Sequence, residues 1–142
     1  MTQKESITIW LDGAKDALDT CDRLFESKKY HHSLFFLHLA LEKILKAVYV
    51  SKKDEAAPYS HNLADLAKKS NLKLTRQDYE KLSEISEFNV STRYESHKYK
   101  IYKKATEEFS KTWIDIGKKF YENLLGQLWR IFYKRQKNMS VQ

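Results

Sequence analysis

The sequence predicts an all-α protein, and two observations carry this prediction. Three glycines and one proline in 142 residues leave few breaks, so regular structure should be nearly continuous. Residues that prefer β-strands do not cluster between turn signals, whereas apolar residues recur at steps of three and four. The length suits one core, so we expect a single domain over residues 1–142, with a basic tail from about residue 130 to 142.

The first two predicted helices differ in the placement of their apolar residues. Residues 5–27 carry one apolar stripe that includes Cys21, which is therefore expected to be a small core residue and not a nucleophile. Residues 30–51 are apolar around nearly the whole circumference, as Leu34, Ile44 and Val48 illustrate. The second helix should thus be the centre of a bundle or part of a subunit interface.

The rest of the chain predicts three more helices. A loop containing Pro58 precedes a short helix over residues 61–70. Thr75 and Asp78 form an N-cap signature for a helix over about 76–89. Residues 88–102 lose the helical period and are predicted to be a connection containing at most a turn of helix. The last helix should run from about 106 to 135, with Gly117 thinning it for close packing.

Several classes of protein and site are excluded. The single cysteine rules out a disulfide framework and a thiolate zinc site, and it fits the cytoplasm. Neither a signal peptide nor an uncharged membrane-spanning stretch is evident, so no membrane role is expected. His31 and His32 are adjacent, which is unsuitable for an i, i+4 pair of metal ligands. We predict no metal and no cofactor.

The net charge of +7 is concentrated in two clusters. Residues 93–104 contribute +4 and residues 130–137 contribute another +4, which leaves −1 for the remainder. This concentration suggests a polyanionic partner. The alternative is a solvated face and a basic C-terminus that serve solubility alone.

The stretch RYESHKYK (residues 93–100) is the candidate site. Arg93 could hold a phosphate through two parallel hydrogen bonds, and His97 could exchange a proton near neutral pH. If helical, the two would share one side, and they could cleave RNA without metal. Tyr94, between the cations, suits base stacking. The alternative is that the tyrosines plug the bundle end while lysines such as Lys98 stay solvated.

A second candidate surface lies on the second helix. His38, Glu42 and Lys46 follow one another at intervals of four, so they share a face. One interpretation is a structural polar stripe, in which Glu42 orients His38. The other is a polar, ligand-binding wall of a cleft.

Three segments, in order, resemble HEPN-domain proteins. Residues 30–50 resemble the second helix of that family through Ala40, Glu42, Lys43, Leu45, Lys46 and Ala47. The next element, H-[ND]-L-x-x-L-A, is matched by His61, Asn62, Leu63, Leu66 and Ala67. The family's F-N-x-x-x-R-Y-P segment is matched by Phe88, Asn89, Arg93 and Tyr94, with Glu95 in place of proline.

The resemblance implies an antiparallel, up-and-down bundle of four to five helices that pairs as a homodimer. It also implies a role in nucleotide or nucleic-acid biology, often beside a small nucleotidyltransferase in toxin–antitoxin or resistance systems. The ribonuclease branch places four to six residues between its arginine and histidine, whereas three separate Arg93 from His97 here. The Arg-Tyr pair instead resembles a branch in which ribonuclease activity is not expected.

Three hypotheses follow. The first is a dimeric module that binds nucleotide or RNA, with Arg93 on phosphate, Lys98 and Lys46 nearby, and Tyr94 stacking. The second is a metal-independent ribonuclease toxin in which His97 is the acid or base and Arg93 stabilises the transition state. The third is a non-catalytic subunit that holds a partner protein.

Overall fold

The computed structural model describes residues 1–140, except the side chains of residues 133 and 136–140. Lys137, part of the predicted basic tail, is among the side chains outside this description. The described chain contains helices and no strand, which confirms the all-α prediction. The elements are α1 (Gln3–Glu26), α2 (Tyr30–Lys53), α3 (Leu63–Lys69), α4 (Arg76–Ser86), a 3-10 turn (Val90–Thr92), α5 (Glu95–Lys104) and α6 (Glu107–Ser140).

The three long helices form the body of the bundle. α1 runs antiparallel to α2, because Gln3 near the start of α1 donates to the carbonyl oxygen of Val50 near the end of α2 (2.9 Å). α6 runs in the same direction as α2, since Arg135 reaches the carbonyl oxygen of Ser51. The short helices α3, α4 and α5 return the chain to the start of α2, and this return makes the parallel arrangement of α2 and α6 possible.

α2 is the central element, as its all-round apolar pattern predicts. Its core side chains have no exposed surface: Leu34, Leu37, Leu41, Ile44, Leu45 and Val48. Gly117 of α6 lies against α2, where an added Cβ would come within 2.5 Å of a Leu37 methyl carbon. The absence of a side chain at Gly117 therefore lets α6 pack closely against α2, as predicted.

The cap that the sequence predicts for α4 is confirmed, and the structure adds one at α3. Thr75 and Asp78 form a capping box at the start of α4, in which each side chain accepts a backbone hydrogen bond from the other residue. Asn62 caps α3 by accepting from the backbone of Asp65. These caps fix the starts of α3 and α4.

Residues 88–102 contain more helix than the sequence predicts. After the 3-10 turn, α5 extends over ten residues. Ile101, only 3% exposed, anchors α5 against the core. Because Ile101 is the one buried residue of α5, this segment has no apolar period. The sequence therefore predicts too little helix here.

No helix among the described residues has the length and apolar character to cross a membrane.

Candidate functional site

Arg93 and His97 do not share a helix. Arg93 follows the 3-10 turn with an extended backbone, and α5 starts two residues later. The two side chains nevertheless meet at Glu87, at the end of α4. One Glu87 carboxylate oxygen lies 3.6 Å from Arg93 Nη2 and 3.6 Å from His97 Nε2. Glu87 thus bridges Arg93 and His97, a contact that helical spacing does not predict.

His97 is fixed by the backbone as well. Its Nε2 donates to the carbonyl oxygen of Glu87 at 2.9 Å, and only 24% of its side chain is exposed. A ring nitrogen engaged in this way cannot abstract a proton from a ligand. In this arrangement His97 ties α5 to the end of α4.

Arg93 lines a cavity of about 270 Å³, which we call the Arg93 cavity. Its other lining residues are His61, Asn62, Ser83, Ser86, Glu87, Asn89 and Thr92. The Arg93 side chain is 42% exposed and the His61 side chain 40% exposed, so both are accessible to a ligand. The cavity joins the turn after α4 to the segment before α3.

His61 is oriented by a buried carboxylate. Its Nδ1 lies 2.9 Å from Glu42 Oε1, and the Glu42 side chain is only 6% exposed. Because an ionised carboxylate can only accept, Nδ1 carries the proton of this bond. The other ring nitrogen, Nε2, is then the one available to a ligand. A carboxylate that fixes the tautomer of a histidine is a recurring arrangement at working sites.

Glu42 is the centre of a buried polar cluster. Lys46 donates to Glu42 Oε2 at 3.0 Å and lies over the ring of Trp10, 5.1 Å from its centroid. Lys46 is 5% exposed, so its ammonium serves Glu42 and does not reach the Arg93 cavity. This placement fits the structural interpretation of the polar stripe for Lys46.

His38 belongs to the same cluster. Its Nε2 donates to the carbonyl oxygen of His61 at 2.9 Å, which holds the backbone of the histidine that faces the cavity. Burial lowers the pKa of His38, so the imidazole is neutral. Its Nε2 is 3.8 Å from Glu42, a distance too long for a hydrogen bond. His38 therefore holds the backbone of His61, and Glu42 holds its side chain.

Lys98 lies on the other side of α5, at a second cavity of about 460 Å³. We call it the aromatic cavity, because its lining includes His31, His32, Phe35, Tyr99 and Tyr102. Lys98 itself pairs with Glu95 at 3.3 Å. Tyr94 is 88% exposed. Arg93 and Lys98 thus line two different cavities, whereas Lys46, Glu42 and His38 belong to the buried cluster.

The two basic clusters of the sequence lie at opposite ends of α2. Tyr102 contacts the ring of His31 in the first turn of α2, whereas Arg135 contacts Ser51 in its last turn. The twenty residues between those contacts span about 30 Å of helix. Among the described side chains of one chain, the two clusters line no common cavity.

The lone cysteine behaves as predicted. Cys21 is fully buried, and burial raises the pKa of its thiol to about 11. Its sulfur lies 3.3 Å from the hydroxyl of Ser33. Among the described residues, no three His, Cys, Asp or Glu side chains are grouped to hold a metal ion.

The comparison with family models decides the family. The model described as HEPN domain matches residues 7–127. The chain belongs to the HEPN family. A comparison with curated proteins gives no match.

A structural comparison finds a similar fold in a solved structure. The crystal structure of TT1696 from Thermus thermophilus is similar to this chain, with a TM-score of 0.71 and 16% sequence identity. The similarity covers 84% of this chain and 96% of that one. At this identity the likeness concerns the fold alone.

His61 is the site residue that sequence reasoning missed in this HEPN chain. It stands in the H-[ND]-L segment, but eighteen residues, including a loop, separate it from Glu42. The available signal was a histidine directly before a helix cap, in a loop where side chains are free to face a ligand. Periodicity along one helix cannot detect such a pair.

Proposed function

We propose that this HEPN protein binds the phosphate of a nucleotide or of RNA in the Arg93 cavity. The observation that carries the proposal is the shared exposure of Arg93 and His61 in one cavity. A guanidinium gives a planar pair of donors to phosphate oxygens, and an imidazole adds one donor when protonated. The family supports a role related to nucleotides or RNA.

Glu87 is the group that a phosphate would have to displace. Its contact with Arg93 is long, at 3.6 Å, and both side chains are nearly half exposed. Exposed ion pairs contribute little to stability, so Arg93 can exchange Glu87 for a phosphate at small cost. A phosphate offers the bidentate geometry that the long Glu87 contact lacks.

The aromatic cavity supports recognition of a base beside that phosphate. It lies across the Val90–Thr92 turn from the Arg93 cavity, and Tyr99 and Tyr102 stack within it at 6.4 Å between ring centroids. Aromatic surfaces between cations favour stacking with any base. Lys98, which lines the aromatic cavity, and the exposed Tyr94 at the start of α5 are then auxiliary contacts of the same ligand.

The binding experiment compares Arg93→Ala and His61→Ala with the wild type, using 5′-AMP and a short RNA as probes at low salt. Loss of Arg93 should weaken binding about tenfold to a hundredfold, the effect of losing one charge-assisted hydrogen bond. Arg76→Ala is the matched control, since Arg76 is an exposed arginine paired with Glu80 at 3.3 Å. Equal affinities for the Arg93 and Arg76 variants would reject the proposal, as would no binding by the wild type.

A metal-independent ribonuclease is the second candidate. It is favoured by the exposed Arg93 guanidinium in the same cavity as the oriented imidazole of His61. Purified protein is incubated with RNA and excess chelator, and cleavage is compared among wild type, His97→Ala and His61→Ala. Loss of cleavage in either variant would support catalysis, whereas equal cleavage by all three, or by none, would reject it.

We also propose that the protein works as a homodimer in the cytoplasm with a small nucleotidyltransferase, in a toxin–antitoxin or resistance-type system. The family resemblance supports the pairing, and a buried, unpaired cysteine fits a reducing compartment. Sedimentation at micromolar concentration should give the mass of two chains; the mass of one chain would contradict the dimer. Copurification of a nucleotidyltransferase without any nucleotide binding would favour the third candidate, a non-catalytic interaction subunit.

A further inference from the structure

A long cationic groove runs along α6, away from the Arg93 cavity. Two cavities of about 380 Å³ each adjoin there, because both are lined by Lys73 and Gln127. We call them together the α6 groove. Its exposed cations are Lys52, Lys73, Lys81, Lys119, Arg130 and Lys134. α6 forms one wall, and the segment between α3 and α4 forms the other, together with residues of α4 and the end of α2.

The charge of the α6 groove is almost entirely unbalanced. Asp78 is the one acid in its lining, and its carboxylate already accepts from the backbone of Thr75 at 3.2 Å. Within the described part of the chain, none of the six cations has a carboxylate within 4.0 Å. By contrast Lys118, next to Lys119 on α6, pairs with Asp22 at 2.7 Å. Cations left without partners in a concave surface favour a polyanion.

The pKa of one lysine of the α6 groove is shifted by its surroundings. Desolvation, and then repulsion by Lys53, lower the pKa of Lys52. A bound phosphate would relieve that repulsion by supplying negative charge. The lining of the groove, rich in cations and poor in acids, is the support for a polyanionic ligand.

The α6 groove is separate from the Arg93 cavity. On α4, Asp78 and Lys81 face the groove, whereas Ser83 and Ser86 face the Arg93 cavity. At 100° per residue these two pairs lie on roughly opposite sides of the helix. One mononucleotide therefore cannot occupy both places.

The dimensions and floor of the α6 groove suit a single strand. From Ile116 to Lys134, α6 rises about 27 Å, enough for roughly four or five nucleotides of an extended strand. Half-buried apolar side chains lie between the cations: Leu74, Ile116, Phe120 and Ile131. Alternating cations and apolar surface are typical of sites that hold phosphates and bases of an unpaired strand together.

We propose that the α6 groove binds single-stranded RNA through its phosphates, as a second site beyond the one at Arg93. The test measures the affinity of a labelled oligouridylate at several salt concentrations. The groove variant carries Lys119→Gln and Arg130→Gln. The matched control carries Lys4→Gln and Lys15→Gln, which removes the same charge from exposed positions of α1.

The groove variant should bind the RNA about tenfold or more weakly than the control, and its logarithmic salt slope should fall by about 1.4, the value for two lost contacts to a single strand. Its affinity for 5′-AMP should equal that of the wild type, whereas Arg93→Ala should lose 5′-AMP and keep the groove's salt slope. Equal RNA affinities in the groove and control variants would overturn the proposal. Binding of anionic phospholipid vesicles without RNA binding would also overturn it.

Discussion

At the residue scale, the decisive arrangement is one buried carboxylate that binds two neighbours. Glu42 accepts from His61 and Lys46, and its helix carries His38 one turn earlier. The helical spacing predicts the contact of Glu42 with Lys46, because residues four apart share a face. The spacing could not predict His61, since a loop of unknown path brings it back to α2. The sequence thus predicts half of this cluster.

Replacing Glu42 by glutamine should destabilise the fold by about 3–5 kcal/mol, because the buried Lys46 ammonium loses its counter-charge. Chemical denaturation measures this change. Asp19→Asn is the control, since Asp19 pairs with Arg23 on the surface and should leave stability nearly unaltered. If both variants lose the same stability, Lys46 does not depend on Glu42.

The burial of His38 predicts a loss of stability in acid. Burial lowers its pKa in the folded state below the ordinary value of 6.5, even though the His61 carbonyl and Glu42 act in the opposite direction. The unfolded chain therefore binds the extra proton first, and stability falls as the pH drops below about 6.5. The contribution of one group is at most about 1.4 kcal/mol per pH unit.

His38→Gln tests this prediction, because glutamine can still donate to the His61 carbonyl but does not titrate. The free energy of unfolding is measured from neutral to mildly acidic pH for both proteins. The variant should lose less stability in acid than the wild type. Parallel pH curves for the two proteins would show that His38 is not the titrating group.

At the element scale, the long helices are predictable and α5 is not. Apolar periodicity identifies α1, α2 and α6, because each buries a continuous stripe or its whole surface. α5 buries chiefly Ile101, so its helical state depends on contacts that periodicity does not register, such as the bond from His97 to the carbonyl of Glu87. Because the start of α5 is not marked in the sequence, Arg93 and His97 were candidates for a shared helical face.

The packing of α6 on α2 gives a matched pair of glycine substitutions. Gly117→Ala should destabilise by about 1–3 kcal/mol, since the new Cβ would overlap Leu37. Gly126→Ala should instead stabilise by about 0.5–1 kcal/mol, because nothing lies within 4 Å and alanine favours helix. Thermal and chemical unfolding measure both. Shifts of the same sign would mean that α6 does not approach α2 at Gly117.

At the scale of the whole molecule, the direction of α6 decides where the charge lies. The sequence predicts two basic clusters, but their separation depends on α6 running parallel to α2. That direction follows from the path of three short helices, which local patterns do not determine. The result is one small cavity with Arg93 and one long groove along α6, and the two share no lining residue. The HEPN family assignment, by contrast, was predictable from three short motifs in order.

The sharpest test of phosphate binding in the Arg93 cavity is an NMR titration of the protein, labelled on histidine and arginine side chains, with 5′-AMP. We predict that the resonances of the His61 imidazole and the Arg93 guanidinium shift together, with one common affinity, since both face one phosphate. Shifts confined to other side chains, with His61 and Arg93 unchanged at saturation, would show that the phosphate binds elsewhere.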